Sequence, residues 1–197
     1  MKITFKCVHF SELTIYELYN IMALRQEIFS VEQNCAYLDA DGKDLNGFHL
    51  LGYANLTENA LNTEGVSDVG FGLSNVGRDA INRVSTLPTS DLPLRGTKQP
   101  NPTSLVAYTR LLPKGVAYAN YASIGRVVNS SKVRGLGVGK ALMEESIRQM
   151  ARLFPQDAVK IGAQSYLLKF YGALGFESTG EEYLEDNIPH KSMILKK

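Results

Sequence analysis

Between residues 133 and 141 the chain reads Val-Arg-Gly-Leu-Gly-Val-Gly-Lys-Ala, with an apolar run before it and an amphipathic run after it. Glycines at 135, 137 and 139 allow positive φ and let a ligand approach the backbone closely. The first N–H groups of a following helix lack internal acceptors, and the helix dipole favours an anion beside them. Arg134 and Lys140 put two cations at the same spot, so the chemistry composed here is the binding of phosphate or pyrophosphate. A Walker P-loop needs glycine six residues before its Lys-Ser/Thr pair, but Arg134 and Ala141 occupy those positions. A dinucleotide G-x-G-x-x-G begun at Gly135 or Gly137 fails at Lys140 or Leu142. What remains is Arg134-x-x-Gly137-x-Gly139.

These residues need a strand to deliver them and a helix to meet the anion. Residues 122–128 (Ala-Ser-Ile-Gly-Arg-Val-Val) read as that strand. Beyond Lys140, at about 100° per residue, Leu142, Met143, Ser146, Ile147, Met150, Leu153 and Phe154 share one arc, with Glu144, Glu145, Arg148 and Arg152 opposite. The spacing predicts a helix lying on a sheet by one face and ending near Pro155. Further strands are predicted at residues 3–7, 49–53, 104–112, 158–165, 175–179 and 189–195. A long or broken helix is predicted over residues 12–30 with Ser11 at its N-cap, and a short one over 166–173. Strands mixed with helices on a sheet make an α/β class. Asp39, Asp41 and Asp44 fall on a loop, and Arg126 is read as facing outward from its strand. Residues from about 55 to 103, rich in Gly, Pro, Ser, Thr and Asn, read as an irregular insertion within a single domain, with a short helix near residues 75–84.

A chain of 197 residues can bury a sizeable core as one domain. A formal charge of +1 gives no reason to expect nucleic acid or an anionic membrane as partner. No apolar run approaches the roughly 20 residues of a bilayer span, and residues 1–10 contain no signal-peptide core, so a cytoplasmic location is expected. Cys7 and Cys35 stand outside any C-x-x-C spacing, which points to free thiols rather than a zinc site or a disulfide framework.

The pattern Arg134-x-x-Gly137-x-Gly139 resembles the R/Q-x-x-G-x-G/A segment of the GCN5-related N-acetyltransferases (GNAT). About 30 residues on, Phe170-Tyr171-Gly172-Ala173-Leu174-Gly175-Phe176 resembles their F-Y-x-x-x-G-F segment. Residues 24–37, 41–44, 49–50, 124–128, 163–164 and 185–190 are similar to the ElaA-like branch of that family, a bacterial one, so the resemblance spans nearly the whole chain apart from the insertion. One departure is Asn187, where the branch has Gly in E-D-G-I-P-H. Asn substitutes best for Gly at positive φ, so the turn is expected to survive.

The resemblance implies a GNAT-type fold: a mixed, mostly antiparallel central sheet flanked by helices and splayed where acetyl-coenzyme A binds. It implies direct transfer of an acetyl group from acetyl-coenzyme A, as cosubstrate, to a primary amine of a small molecule or peptide in a ternary complex, without a metal. Backbone N–H groups of Gly135, Leu136, Gly137, Val138, Gly139 and Lys140 would hold the pyrophosphate, with Arg134 adding charge. Val127 and Val128 would offer strand backbone to the pantetheine amides, and Tyr171 stands where the family protonates the leaving thiolate. Glu32, His49, Asp186 and His190 are candidates to take the amine proton. Each has a plainer reading: Glu32 as a helix cap, His49 as a strand residue satisfied by backbone, Asp186 and His190 as hairpin fixtures. Arg25, Gln33 and His49 would line the acceptor pocket, Arg25 being equally readable as a structural ion pair. Neither nucleic acid nor a membrane is implied, and a homodimer is left open. A second reading is a catalytically weak or inactive acetyl-coenzyme A-binding module, and a third a binder of some other anion.

Overall fold

The computed structural model describes residues 1–55 and 103–196. The insertion expected at about 55–103, its short helix included, lies outside the described residues apart from its two ends. Seven strands form one sheet: β1 (Ile3–His9), β2 (Phe48–Asn55), β3 (Thr103–Leu112), β4 (Ala122–Asn129), β5 (Val159–Gln164), β6 (Glu177–Glu185) and β7 (Ile188–Leu195), in the order β1-β2-β3-β4-β5-β7-β6. All neighbours are antiparallel except β4 and β5. Among the described residues no helix is long and apolar enough to cross a membrane.

Two helices sandwich the middle of the sheet. On β3, Tyr108 and Thr109 point to opposite faces. Tyr108 packs with Leu51 and Val128 against Ile21, Leu24 and Ile28, which come from α1 (Ile15–Arg25) and the turn after it. Thr109 Oγ1 lies 3.1 Å from Ser146 Oγ of α2 (Val138–Leu153). The buried face of α2 is Val138, Leu142, Met143, Ser146 and Met150; of the arc expected from spacing, Ile147, Leu153 and Phe154 are only partly buried.

The first helix differs from expectation at its start and is the broken one of the two forms expected. Its N-cap is Thr14, not Ser11, which lies in a 3₁₀ turn (Phe10–Glu12). Thr14 Oγ1 accepts the Glu17 N–H at 3.2 Å while Glu17 Oε2 accepts the Thr14 N–H at 3.0 Å. This is a reciprocal capping box that satisfies two orphan donors. Past Arg25 the chain widens into a π-helical turn (Gln26–Glu32), and on α1 itself Tyr16 and Tyr19 face solvent, 77% and 74% exposed. Thr14→Ala is expected to cost about 1 kcal/mol, a fall in melting temperature of roughly 2–4 °C for a chain of this size, with ligand binding unchanged; calorimetry would check this.

Two irregularities shape the functional end of the sheet. Tyr108 pairs with Val128 and Arg110 with Gly125, so Thr109 alone faces both Arg126 and Val127, and this β-bulge holds Arg126 at φ +51°. The β4–β5 ladder consists of only Ala122↔Val159 and Ser123↔Lys160. Beyond it, the facing edges of β4 and β5 are unpaired. At the same end of the sheet, in its edge hairpin, Asp186 (φ +50°) and Asn187 (φ +62°) form the two-residue turn between paired Glu185 and Ile188. Asn187 therefore takes the positive φ expected of it, and the turn is formed.

Candidate active site

The glycine turn folds as its composition dictates. Ser130 caps a 3₁₀ turn (Ser131–Val133), Val133 is buried beneath it, and Gly137 at φ +77° is the N-cap of α2. The first intrahelical bond runs from the Ala141 N–H to the Gly137 carbonyl at 3.1 Å. The N–H groups of Gly137, Val138, Gly139 and Lys140 are thus the four orphan donors of the helix. The Leu136 N–H, counted among the donors from sequence, is already directed at the Val133 carbonyl at 3.4 Å. A Cβ on Gly137 would meet nothing within 4 Å, so backbone conformation is what requires glycine there; on Gly139 it would come within 2.9 Å of Asn129 Nδ2. Asn129 Oδ1, at the end of β4, is buried without a hydrogen-bond partner among the described residues. Arg134 forms an ion pair with Glu32 and stays half exposed, and Lys140 sits 3.8 Å from Glu144.

A cavity of about 590 Å³ opens where the β4–β5 ladder stops. Gly125–Val127 and Ile161, Gly162 and Gln164 line it from the two strands, and Gln33, Tyr171, Asp186 and His190 join them. Tyr171 is on α3 (Leu168–Gly172), its ring held edge-on by Phe170 and Phe176 at 5.1 and 6.0 Å. Burial pushes its phenol up to about 12, so it is neutral at any ordinary pH. His190 Nδ1 lies 2.8 Å from the Ile188 carbonyl. A carbonyl only accepts, so in the neutral ring Nδ1 is the nitrogen that carries the proton and Nε2 the one with the lone pair.

Of the residues expected at the site, the cavity gathers Tyr171, His190, Asp186, Gln33 and Val127. Val128, the next residue of β4, is outside the cavity lining, its side chain being in the core. Three others go elsewhere. Glu32 is beside Arg134, outside the cavity lining. Arg25 is 1% exposed, its Nε 2.7 Å from Asp39 Oδ2 and Nη1 2.8 Å from Asp44 Oδ1. His49, equally buried, donates from Nε2 to the Asp44 carbonyl at 3.1 Å and accepts the Tyr108 hydroxyl on Nδ1 at 2.9 Å; burial lowers its pKa.

The acidic loop is therefore the counterpart of three arginines. Arg110 forks onto Asp41 at 2.6 and 2.9 Å and shares Asp44 Oδ1 with Arg25. Arg126 does not face outward: its Nε lies 2.8 Å from Asp39 Oδ1 and its guanidinium lies 5.3 Å from the Tyr37 ring centroid, on the cavity wall. The positive φ of the bulge turns it inward. Sequence reading missed Arg110, whose only signal was a charge in the middle of an apolar strand.

A mixed sheet that splays beside a helix opening on free N–H groups defines the GNAT class of acyltransferase folds. Comparison with known proteins bears this out. A family profile described as an acetyltransferase (GNAT) domain matches residues 93–197. Protein ElaA of Escherichia coli is 32% identical over 188 residues, 94% of this chain and 92% of that one. An acyl-CoA N-acyltransferase structure from Pseudomonas aeruginosa is 31% identical with a TM-score of 0.71, covering 99% of this chain and all of that one. A Bacillus subtilis acetyltransferase solved with CoA shares the fold at TM-score 0.51 and 16% identity, covering 100% and 99% of the two chains. The protein belongs to the GNAT acetyltransferase family.

Proposed function

We propose that the protein transfers the acetyl group of acetyl-coenzyme A directly to a primary amine. The observation that carries this reading is the gap between β4 and β5, with Tyr171 and His190 facing one cavity and the free N–H groups of α2 opening at the end of β4. The residues suit the ligand: orphan donors of Gly137, Val138, Gly139 and Lys140 for pyrophosphate, unpaired backbone of β4 through Val127 for amides, and the unsatisfied Asn129 Oδ1 as a further acceptor.

Acetyl-coenzyme A supplies the thioester carbonyl. An alkylammonium must first lose a proton, and His190 Nε2 is the acceptor for it. The freed nitrogen attacks the carbonyl carbon, a C–N bond forms, and the C–S bond breaks. Tyr171 holds the departing sulfur and delivers its proton, recovering one from the attacking nitrogen. A phenol near 12 gives a proton to a thiolate near 8.5 only uphill, which is why the two transfers belong to one step. The ammonium and thioester become the amide, the thiol and one released proton.

The experiment is release of free thiol on adding amines to protein and acetyl-coenzyme A; binding without release would leave only the ligand-binding reading. Arg134→Glu is expected to abolish the rise in melting temperature that acetyl-coenzyme A produces. It reverses charge beside the orphan donors while sitting at the surface, so the fold should hold. An unchanged thermal shift would remove the phosphate assignment.

A further inference from the structure

The cavity contains a group of oxygens to which the acetyl-transfer reading gives no task. Gly162 on β5 has no side chain, and the place a Cβ would occupy lies 2.6 Å from Tyr183 Oη, 3.7 Å from Tyr118 Oη and 3.8 Å from Glu185 Oε2. Tyr183 and Glu185 are two residues apart on β6, hence on one face, and Tyr118 arrives from the β3–β4 connection. All three line the cavity. Among the described residues no cation pairs with Glu185; the nearby Lys160 Nζ is instead over the Tyr118 and Tyr121 rings, at 4.7 and 5.9 Å from their centroids. Burial raises the Tyr118 phenol to about 12 and raises Tyr183 as well, so both stay neutral oxygens beside one carboxylate.

A primary ammonium has three N–H donors and no acceptor. Three oxygens, one of them charged, gathered on the side-chain face of Gly162 complement it. Gly162 stands two residues beyond the last β4–β5 pair, as Gly125 does on β4, so the point lies where the strands begin to part. A carboxylate beside the nitrogen would instead meet Glu185 and Asp186, which both border the cavity.

We propose that Tyr118, Tyr183 and Glu185, arranged over Gly162, form the subsite that receives the acceptor as a primary alkylammonium on an arm with no carboxylate next to the nitrogen. The proposal rests on the acetyl-transfer reading for the reaction that follows, but not for the binding itself. His190 stacks on the Tyr183 ring at 6.0 Å between centroids, so the proton acceptor is one ring away from the captured nitrogen.

Calorimetric titration without acetyl-coenzyme A, using n-butylammonium and norleucine, an α-amino acid whose side chain is n-butyl, separates the two readings. Wild type should bind n-butylammonium at least about tenfold more tightly than norleucine, and Glu185→Gln and Gly162→Ala should each weaken it about tenfold or more. The Gly162→Ala methyl displaces the Tyr183 hydroxyl rather than any backbone, so this variant keeps its fold and its acetyl-coenzyme A affinity. In turnover, Glu185→Gln should raise KM for alkylamines and leave KM for neutral arylamines unchanged. No binding of n-butylammonium, equal binding of norleucine, or an unchanged KM for alkylamines overturns the subsite. Ammonium binding with no thiol release from any amine would overturn the transfer reading while leaving the subsite in place.

Discussion

Tyr171→Phe is expected to lower kcat for thiol release by roughly 10²-fold or more while acetyl-coenzyme A binding stays essentially unchanged. The substitution removes one oxygen and keeps the ring that packs edge-on against Phe170 and Phe176. Among the described residues nothing hydrogen-bonds that hydroxyl, so its removal breaks no protein contact. An interaction with the leaving sulfur strengthens as the C–S bond breaks, and a group that acts only then shows its loss in kcat rather than in affinity. Wild-type turnover in the variant would retire Tyr171 from the chemistry. A parallel loss of ligand binding would make it a positioning residue.

Asp44→Ala is expected to produce the largest loss of stability. Asp44 Oδ1 is shared by Arg25 and Arg110, at 2.8 and 3.0 Å, and both arginines are almost wholly buried. Removing one partner of such a group leaves buried charge uncompensated, at a cost of about 3–5 kcal/mol. The melting temperature should fall by roughly 6–20 °C, as read by denaturant and thermal unfolding. A loss below about 1 kcal/mol would mean that Asp39 and Asp41 re-pair both arginines. The same network sets the acid limb of stability. The arginines hold Asp41 and Asp44 below the usual carboxylate range despite burial that pushes the other way. Their contribution is therefore complete above about pH 3.9 and is lost as pH falls through the lower folded values. His49, lowered by burial, favours its neutral form in the folded chain. Stability should thus begin to decline below about pH 6.5, where the unfolded chain's imidazole takes a proton, and fall further once the carboxylates titrate. A melting temperature flat from pH 7 to 4 would contradict the His49 placement.

What was legible in the sequence was local. The glycine turn works because donors, cations and conformational freedom lie within seven consecutive residues, and α2 shows its buried face by spacing alone. That Asn187 keeps the turn after Asp186 could be read for the same reason. Arg25 and His49 took the plainer of their two readings, and spacing could not choose between the readings because their partners are brought up by the fold: Asp39 and Asp44 for one, the Asp44 carbonyl and Tyr108 for the other. β6 was read as ending at Thr179 because it is an exposed edge strand and Glu181 to Glu185 shows no apolar alternation. The capping box at Thr14 and Glu17 was written in the sequence and passed over for Ser11. The oxygen cluster over Gly162 had no sequence signal, since residues 118, 162, 183 and 185 meet only through the sheet.

Two ladder rungs join the strands up to β4 to the strands from β5 onward. Mechanically, the sheet has a seam. Residues 159–196 form a hairpin-bonded panel that can loosen as a cooperative unit of its own, at less cost than global unfolding. Any molecule that spans the seam supplies rungs that the chain lacks and ties the panel to the rest. Binding there and cohesion of the C-terminal panel then draw on one coupling free energy. A mutation that loosens the hairpin far from the cavity would weaken ligand binding without touching the ligand.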